Sequence, residues 1–82
     1  MAYVVVERSF SSPQSDDDLA RVEDRLAPCS GMHGVVWKRS VVSVDRRHMI
    51  CEYEAPDAET VRQVQREAGA SFDFIWSGEI IE

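Results

Sequence analysis

Cysteine is scarce in this chain of 82 residues, which has only Cys29 and Cys51. Neither belongs to a Cys-x-x-Cys pair, and this excludes zinc-ribbon and thioredoxin-like sites. A soft-metal site built from clustered thiolates is excluded as well, because two distant cysteines cannot supply it. A disulfide is not expected in a reducing compartment, and we expect Cys51 to be buried as a small apolar side chain.

Basic residues are also few, with 9 Lys and Arg against 15 Asp and Glu, a net charge of −6. Nucleic-acid binding needs basic groups that displace counterions from phosphates, so this balance argues against a nucleic-acid partner. It argues equally against anionic membranes and is compatible with cation binding. No apolar run approaches the roughly 20 residues of a membrane span, and the first residues lack the basic segment of a signal peptide. We therefore expect a cytoplasmic protein.

The apolar pattern predicts the order strand, helix, strand, strand, helix, strand. Strands are predicted where β-branched and aromatic residues cluster, at residues 3–8, 35–44, 49–55 and 72–81. The first helix is predicted to begin after Ser15, with Asp18 completing a capping box. Pro28, Gly31 and Gly34 are predicted to end it and open a loop. The second begins after Pro56 and ends at Gly69. This order predicts an α+β, ferredoxin-like βαββαβ sandwich over residues 1–82, with two helices on one face of a four-stranded antiparallel sheet.

The other face of the predicted sheet is left open. If Asp45 and His48 flank a two-residue turn, Val41 lies opposite Glu52 and Arg39 opposite Glu54. The open face then carries apolar and charged side chains from three strands: Trp37, Arg39, Val41, Ile50, Glu52, Glu54 and Glu7. An uncovered face of this kind usually meets a second copy of the chain, so we expect a homodimer. A carboxylate-lined cavity for a cation or a small ligand is the alternative.

Two histidines are the main candidates for chemistry. His33 lies in a glycine-flanked loop, and His48 lies at the predicted hairpin opposite Asp45. A neutral imidazole beside a carboxylate can start a divalent-metal site. The hairpin and the start of the first helix should share one end of the sandwich, with His33 at the other. The candidate metal ligands are therefore these imidazoles and the nearby carboxylates: His33, His48, Asp45, Asp16 and Asp17. Solvated histidines and an acidic cluster stabilised by the helix dipole are the alternative.

Several segments resemble a family of small bacterial proteins described as nickel-binding. These segments are residues 6–8, 36–43 and 51–57, together with Asp45. The resemblance covers nearly the whole chain and implies a ferredoxin-like cytoplasmic homodimer. It also implies that Ni²⁺ is bound at the surface for sequestration rather than catalysis. His33 and His48 lie outside the similar segments, so their assignment as ligands rests on coordination chemistry alone.

Three functions therefore remain open. The first is a homodimeric nickel-binding protein for sequestration or detoxification. The second is a small ferredoxin-like enzyme of the monooxygenase or isomerase type, with a pocket near Trp37, Arg39, Glu52 and Glu54. The third is an interaction module whose open face binds another protein. No nucleophile elbow or phosphate-binding loop is present, so we expect no enzymatic activity.

Overall fold

The computed structural model describes residues 1–82 and contains six elements in the predicted order. The strands are β1 (Ala2–Ser9), β2 (Val36–Val42), β3 (His48–Ala55) and β4 (Phe74–Gly78), and the helices are α1 (Asp16–Met32) and α2 (Ala58–Ala68). All neighbouring strands are antiparallel, in the order β2-β3-β1-β4. Neither helix has the length and apolarity needed to cross a membrane. The predicted ferredoxin-like fold is confirmed.

The core lies between the sheet and the two helices. Alternate residues of β1 and β3 point to the helices, where Val4 and Val6 lie beside Cys51 and Tyr53. Both helices contribute to the same apolar cluster through fully or almost fully buried residues: Leu26, Val61 and Val64. The burial of Cys51 expected from its apolar surroundings is confirmed.

Helix α1 begins where the sequence predicts but ends later. The Ser15 hydroxyl accepts the Asp18 N–H at 3.1 Å, and the Asp18 carboxylate accepts the Ser15 N–H at 2.9 Å, which forms the capping box. Of the three predicted end signals, Pro28 and Gly31 lie inside the helix, because α1 continues to Met32, and only Gly34 lies beyond its end. A proline inside a helix costs roughly 3 kcal/mol. We attribute its tolerance to packing, since Leu26 and Ser30 on either side of it are buried.

Helix α2 follows the predicted start and stop signals. Asp57 caps its first turn by accepting the Thr60 N–H at 2.7 Å. Gly69 ends it with φ of 70°, in the left-handed region, while its N–H returns to the Arg66 carbonyl. Glycine adopts this conformation without the steric cost that a Cβ atom imposes.

The β2–β3 hairpin differs from the predicted one in its turn. Arg39 lies opposite Glu52 and Val41 opposite Ile50, so the pairing is shifted by two positions from the prediction. The turn is longer than two residues, because the Ser43 N–H closes it on the His48 carbonyl at 2.9 Å. A shift of two leaves the sidedness of both strands unchanged, since side chains alternate with a period of two. Arg39, Val41, Ile50 and Glu52 therefore remain on the open face, as predicted, although the predicted turn is wrong.

A β-bulge between Trp37 and Arg39 changes the position of the tryptophan. Trp37 lies opposite the buried Tyr53, and its ring borders a small cavity beside Leu19 and Ala20 of α1. The extra residue of a bulge reverses the sidedness of the strand beyond it. The prediction that Trp37 lies on the open face is therefore wrong.

Replacing Val64 with alanine should destabilise the fold by about 2 kcal/mol. The estimate combines roughly 0.8 kcal/mol per buried CH₂ with the cost of the cavity that remains. Val64 is 0% exposed, whereas Val44 is fully exposed at the hairpin, so Val44→Ala is the matched control. Urea unfolding should show a lower midpoint for Val64→Ala and a near-native midpoint for Val44→Ala. Equal midpoints for the two variants would contradict this account of the core.

Candidate functional site

The open face is built from the other alternate residues of the same strands. Strand register places Tyr3, Val5 and Glu7 of β1 on this face, between β3 and β4. Their neighbours on the face are a mixture of charged and large apolar side chains: Arg39, Val41, Ile50, Glu52, Glu54, Phe74 and Trp76. Glu7 lies on this face as expected. The aromatic rings of β4, Phe74 and Trp76, lie there as well, although they are not among the residues predicted for it. Both helices cover the opposite face, so no helix covers these side chains, and the C-terminal residues 79–81 border part of this face.

Glu52 is the centre of the polar contacts on this face. Its carboxylate accepts the Tyr3 hydroxyl at 2.6 Å and the Arg39 Nε–H at 3.2 Å. The hydrogen bond from Tyr3, assisted by Arg39, holds the pKa of Glu52 below its ordinary value. The same hydrogen bond raises the pKa of Tyr3, because it favours the protonated phenol. Glu52 is therefore an ionised carboxylate that its own chain already neutralises.

A cavity of about 290 Å³ opens beside this contact. Tyr3, Arg39, Glu52 and Trp76 line it together with residues 78–81 of the C-terminal segment. Glu7 lies on the same face and accepts the Trp76 indole N–H at 2.8 Å. Glu7 and Glu52 thus already accept hydrogen bonds from side chains of the same chain. They are weaker ligands for a cation than free carboxylates would be.

The enzyme hypothesis requires one pocket lined by four residues: Trp37, Arg39, Glu52 and Glu54. The structure keeps Arg39 and Glu52 together but places Trp37 on the helix side of the sheet. Glu54 pairs with Lys38 at 3.4 Å and does not line the cavity. The four residues therefore do not form the single pocket that this hypothesis requires.

His33 lies at the C-terminal end of α1, where it is the capping residue. Its Nε2 atom is 3.1 Å from the Glu67 carboxylate in the last turn of α2, and the ring is largely covered. Hydrogen bonds from Gln63 and then His33 lower the pKa of Glu67. Glu67 is not among the predicted site residues, because the contact joins residues 34 positions apart and no local spacing signals it. An imidazole and a carboxylate therefore meet at this end of α1.

His48 lies at the hairpin end of β3, where its backbone pairs with Ser9. Asp45 is close enough for a charged His48 to lower its pKa, but hydrogen bonds from the Ser43 hydroxyl and the Arg47 N–H lower it more. These bonds hold the Asp45 Oδ1 atom at 2.6 and 3.1 Å. The role of His48 and Asp45 as joint metal ligands stays a prediction, and the Asp45 carboxylate already accepts hydrogen bonds from Ser43 and Arg47.

The hairpin does approach the start of α1, as predicted. The Gln14 N–H donates to the Arg46 carbonyl at 2.9 Å, and the Arg46 guanidinium pairs with Asp16. Asp16 is thus held by Arg46 and not by His48, while Asp17 lies in the same first turn of α1. The predicted grouping of Asp16 and Asp17 with His48 stays a prediction, and the contact present at this end joins Asp16 to Arg46.

The predicted ligands do not converge on one point. His33 and the hairpin lie at opposite ends of α1, whose 17 residues span about 25 Å at 1.5 Å per residue. No group of three or more His, Cys, Asp or Glu side chains comes together in the chain. Imidazole nitrogen and carboxylate oxygen suit Ni²⁺ and other borderline divalent ions. The residues of one chain therefore fit the beginning of a metal site and not a complete shell.

An open-faced α+β sandwich with imidazole–carboxylate neighbours at its ends defines a small ferredoxin-like protein without an enclosed metal centre. Residues 3–77 match the model of a family described as nickel responsive protein SCO4226-like, and the chain belongs to that family. The crystal structure of SCO4226 from Streptomyces coelicolor A3(2) has the same fold, with a TM-score of 0.88 and 18% identity. The match covers 99% of this chain and 100% of that one. No curated protein matches the sequence.

Replacing Tyr3 with phenylalanine should raise the pKa of Glu52 toward its ordinary value, because the variant removes the strongest interaction that favours the carboxylate. A carboxyl whose pKa is lowered by folding stabilises the native state above its unfolded pKa, and this contribution is lost as the pH falls through the folded pKa. Tyr3→Phe should therefore lose less stability on acidification than the wild type. A carbon-13 NMR titration of the Glu52 carboxyl measures the shift directly.

Tyr53→Phe is the matched control, because Tyr53 is buried on the helix side, on the opposite face of the sheet from Glu52. It should leave the Glu52 titration unchanged. An unchanged Glu52 titration in Tyr3→Phe would refute the assigned hydrogen bond.

Proposed function

We propose that the protein binds Ni²⁺ at its surface and sequesters it as a homodimer, and that it is not an enzyme. The observation that carries the proposal is the match of residues 3–77 to a nickel-responsive family. Coordination chemistry supports it, because imidazole and carboxylate ligands at two ends of the chain suit a borderline metal. In this proposal Ni²⁺ is the cargo of the protein. Surface sites suit a cargo ion, because the ion can bind and dissociate without any rearrangement of the core.

The His33 site is the better supported of the two sites. His33 and Glu67 already lie 3.1 Å apart across α1 and α2, so they need little rearrangement to share one ion. The second site combines His48 with Asp45 at the hairpin, and Asp16 or Asp17 joins it if Arg46 moves aside. Water or a side chain of a second copy completes an octahedral shell at either site.

The second copy is proposed to pack on the open face. Large apolar side chains lie exposed there without a covering layer, including Val41, Phe74 and Trp76. Exposed patches of this kind mark interaction surfaces, and a two-fold axis lets one patch cover its own copy. Arg39 and Glu52 would lie within this contact, where their ion pair limits the cost of burial.

The proposed compartment is the cytoplasm, where sequestration would lower the free metal concentration and so provide detoxification. Cys29 and Cys51 are both free thiols in the fold. Unpaired thiols are the usual state in a reducing compartment. They support this location without adding a metal site, since the two do not belong to a ligand cluster.

Calorimetric titration with Ni²⁺ should give a lower stoichiometry for His33→Ala and for His48→Ala than for the wild type. Each substitution removes the nitrogen ligand of one site and leaves the other site as an internal reference. Asp24→Asn changes an exposed carboxylate in the middle of α1 that neither proposed site includes, so it is the control and should keep the wild-type stoichiometry. Binding should weaken as the pH falls, because an imidazole must be neutral to coordinate a metal. Wild-type stoichiometry in both histidine variants would remove these residues from the proposal.

A charge placed on the open face should dissociate the dimer. Val41 is 57% exposed on this face and Val44 is fully exposed at the hairpin, so Val41→Asp and Val44→Asp form a matched pair. Burying an unpaired carboxylate in an interface costs several kcal/mol, which should weaken dimerisation by at least about a hundredfold for Val41→Asp alone. Sedimentation equilibrium measures both variants. A monomeric wild type at tens of micromolar concentration would contradict the homodimer.

A further inference from the structure

A cleft of about 320 Å³ lies on the helix side of the sheet, away from the open face. It lies where the segment after β1, the middle of α1 and the segment after α2 meet. Arg8, Gln14 and Arg25 line it together with the backbone of residues 69–71. We call it the Arg8 cleft, because the most buried charged group of the chain lies at its wall.

The charge of the Arg8 cleft is opposite to that of the molecule. The chain as a whole carries a net charge of −6, yet the cleft is lined by two guanidinium groups and no carboxylate. Arg25 is exposed and belongs to none of the seven ion pairs. Asp18 and Asp24 line a neighbouring hollow that also includes Arg25, but within the Arg8 cleft itself the two guanidinium groups favour a negatively charged ligand.

Arg8 is buried without a counter-ion. It is 3% exposed, and its Nη1 atom donates to the Gln65 side chain and to the Ser71 carbonyl, both at 2.9 Å. Its Nη2 atom meets only the Cys51 sulfur at 3.8 Å, and its Nε–H has no partner. No carboxylate lies within ion-pair distance of it. A buried charge that is incompletely paired is costly, so the fold gains if an anion approaches it.

Glu23 is the carboxylate whose charge Arg8 affects through space. Burial raises the pKa of Glu23, and the attraction of Arg8 only partly opposes that shift. Glu23 borders the separate cavity beside Trp37 and does not line the Arg8 cleft. Glu23 therefore reduces the positive potential near Arg8 through space but does not occupy the hydrogen-bond donors of the cleft.

Neutral donors complete the lining. The Ser71 N–H forms no backbone hydrogen bond, and the Ser71 side chain is exposed at the mouth of the cleft. The Gln14 amide donates to the Ser12 carbonyl at 3.1 Å, and its second N–H is available. A guanidinium presents paired N–H groups that match the oxygens of a carboxylate or a phosphate.

We propose that the Arg8 cleft is a binding site for a small oxyanion of the carboxylate or phosphate type, held between Arg8 and Arg25. The volume is at the lower end of the range for small-molecule sites, which fits a compact metabolite and not a polymer. The site is independent of metal binding, because none of the proposed nickel ligands lines it.

The test is a nitrogen-15 NMR titration of the full chain, without added metal, using sodium phosphate and sodium succinate in separate arms. Sodium chloride at equal ionic strength is the reference. The amides of residues 69–71 should shift in a saturable manner with at least one oxyanion. Saturation by phosphate alone assigns the phosphate class, and saturation by succinate alone assigns the carboxylate class.

Arg25→Gln should weaken this binding by about tenfold or more, since it removes a charged hydrogen-bond donor from an exposed position. Arg21→Gln, one turn earlier on α1 and outside the cleft, is the matched control and should bind like the wild type. Arg8 is left intact, because replacing a core side chain changes stability together with binding. Shifts no larger than those with chloride, shifts mapped elsewhere, or equal affinities in the two variants would each overturn the proposal.

Discussion

The alternation of side chains along β1 and β3 is the constraint on which the rest of the structure depends. These two strands pair over the full length of both, from Ala2 opposite Ala55 to Ser9 opposite His48. One set of alternate residues forms the apolar layer under the helices, and the other forms the open face. A slip of one residue would bury the carboxylates and expose the valines, so core packing holds the register.

The same alternation decides where charged chemistry can occur. On the open face, Glu7 and Glu52 are held by Trp76, Tyr3 and Arg39, so their charges are largely committed within the chain. His33 lies at the C-terminal end of α1, and His48 lies at the hairpin end of β3, so the two imidazoles are at opposite ends of the molecule. A metal that binds this chain therefore meets its imidazoles at the periphery, with few protein ligands and ready access for water or a second molecule.

Arg8 is the exception to the apolar character of the helix-facing set. It occupies a position where the strand pattern places core residues, and Gln65 and the Ser71 carbonyl hold it there. A buried guanidinium in so small a core is expensive, which makes its role difficult to explain by stability alone. The proposed anion site thus lies on the helix side, whereas the proposed metal sites lie at the ends of the molecule.

The element order, the helix caps and the sidedness of the strands could be predicted from the sequence by itself. Each depends on local signals such as the Ser15–Asp18 capping box, Gly69 and the alternating apolar residues of β1 and β3. The continuation of α1 through Pro28, the bulge that moves Trp37 and the length of the β2–β3 turn were decided by the tertiary structure. In these cases packing against distant residues outweighs a local preference of a few kcal/mol. The tertiary structure also decided the His33–Glu67 and Arg8–Gln65 contacts. Each joins residues that are far apart in the sequence, and they meet only when the two helices pack on the sheet.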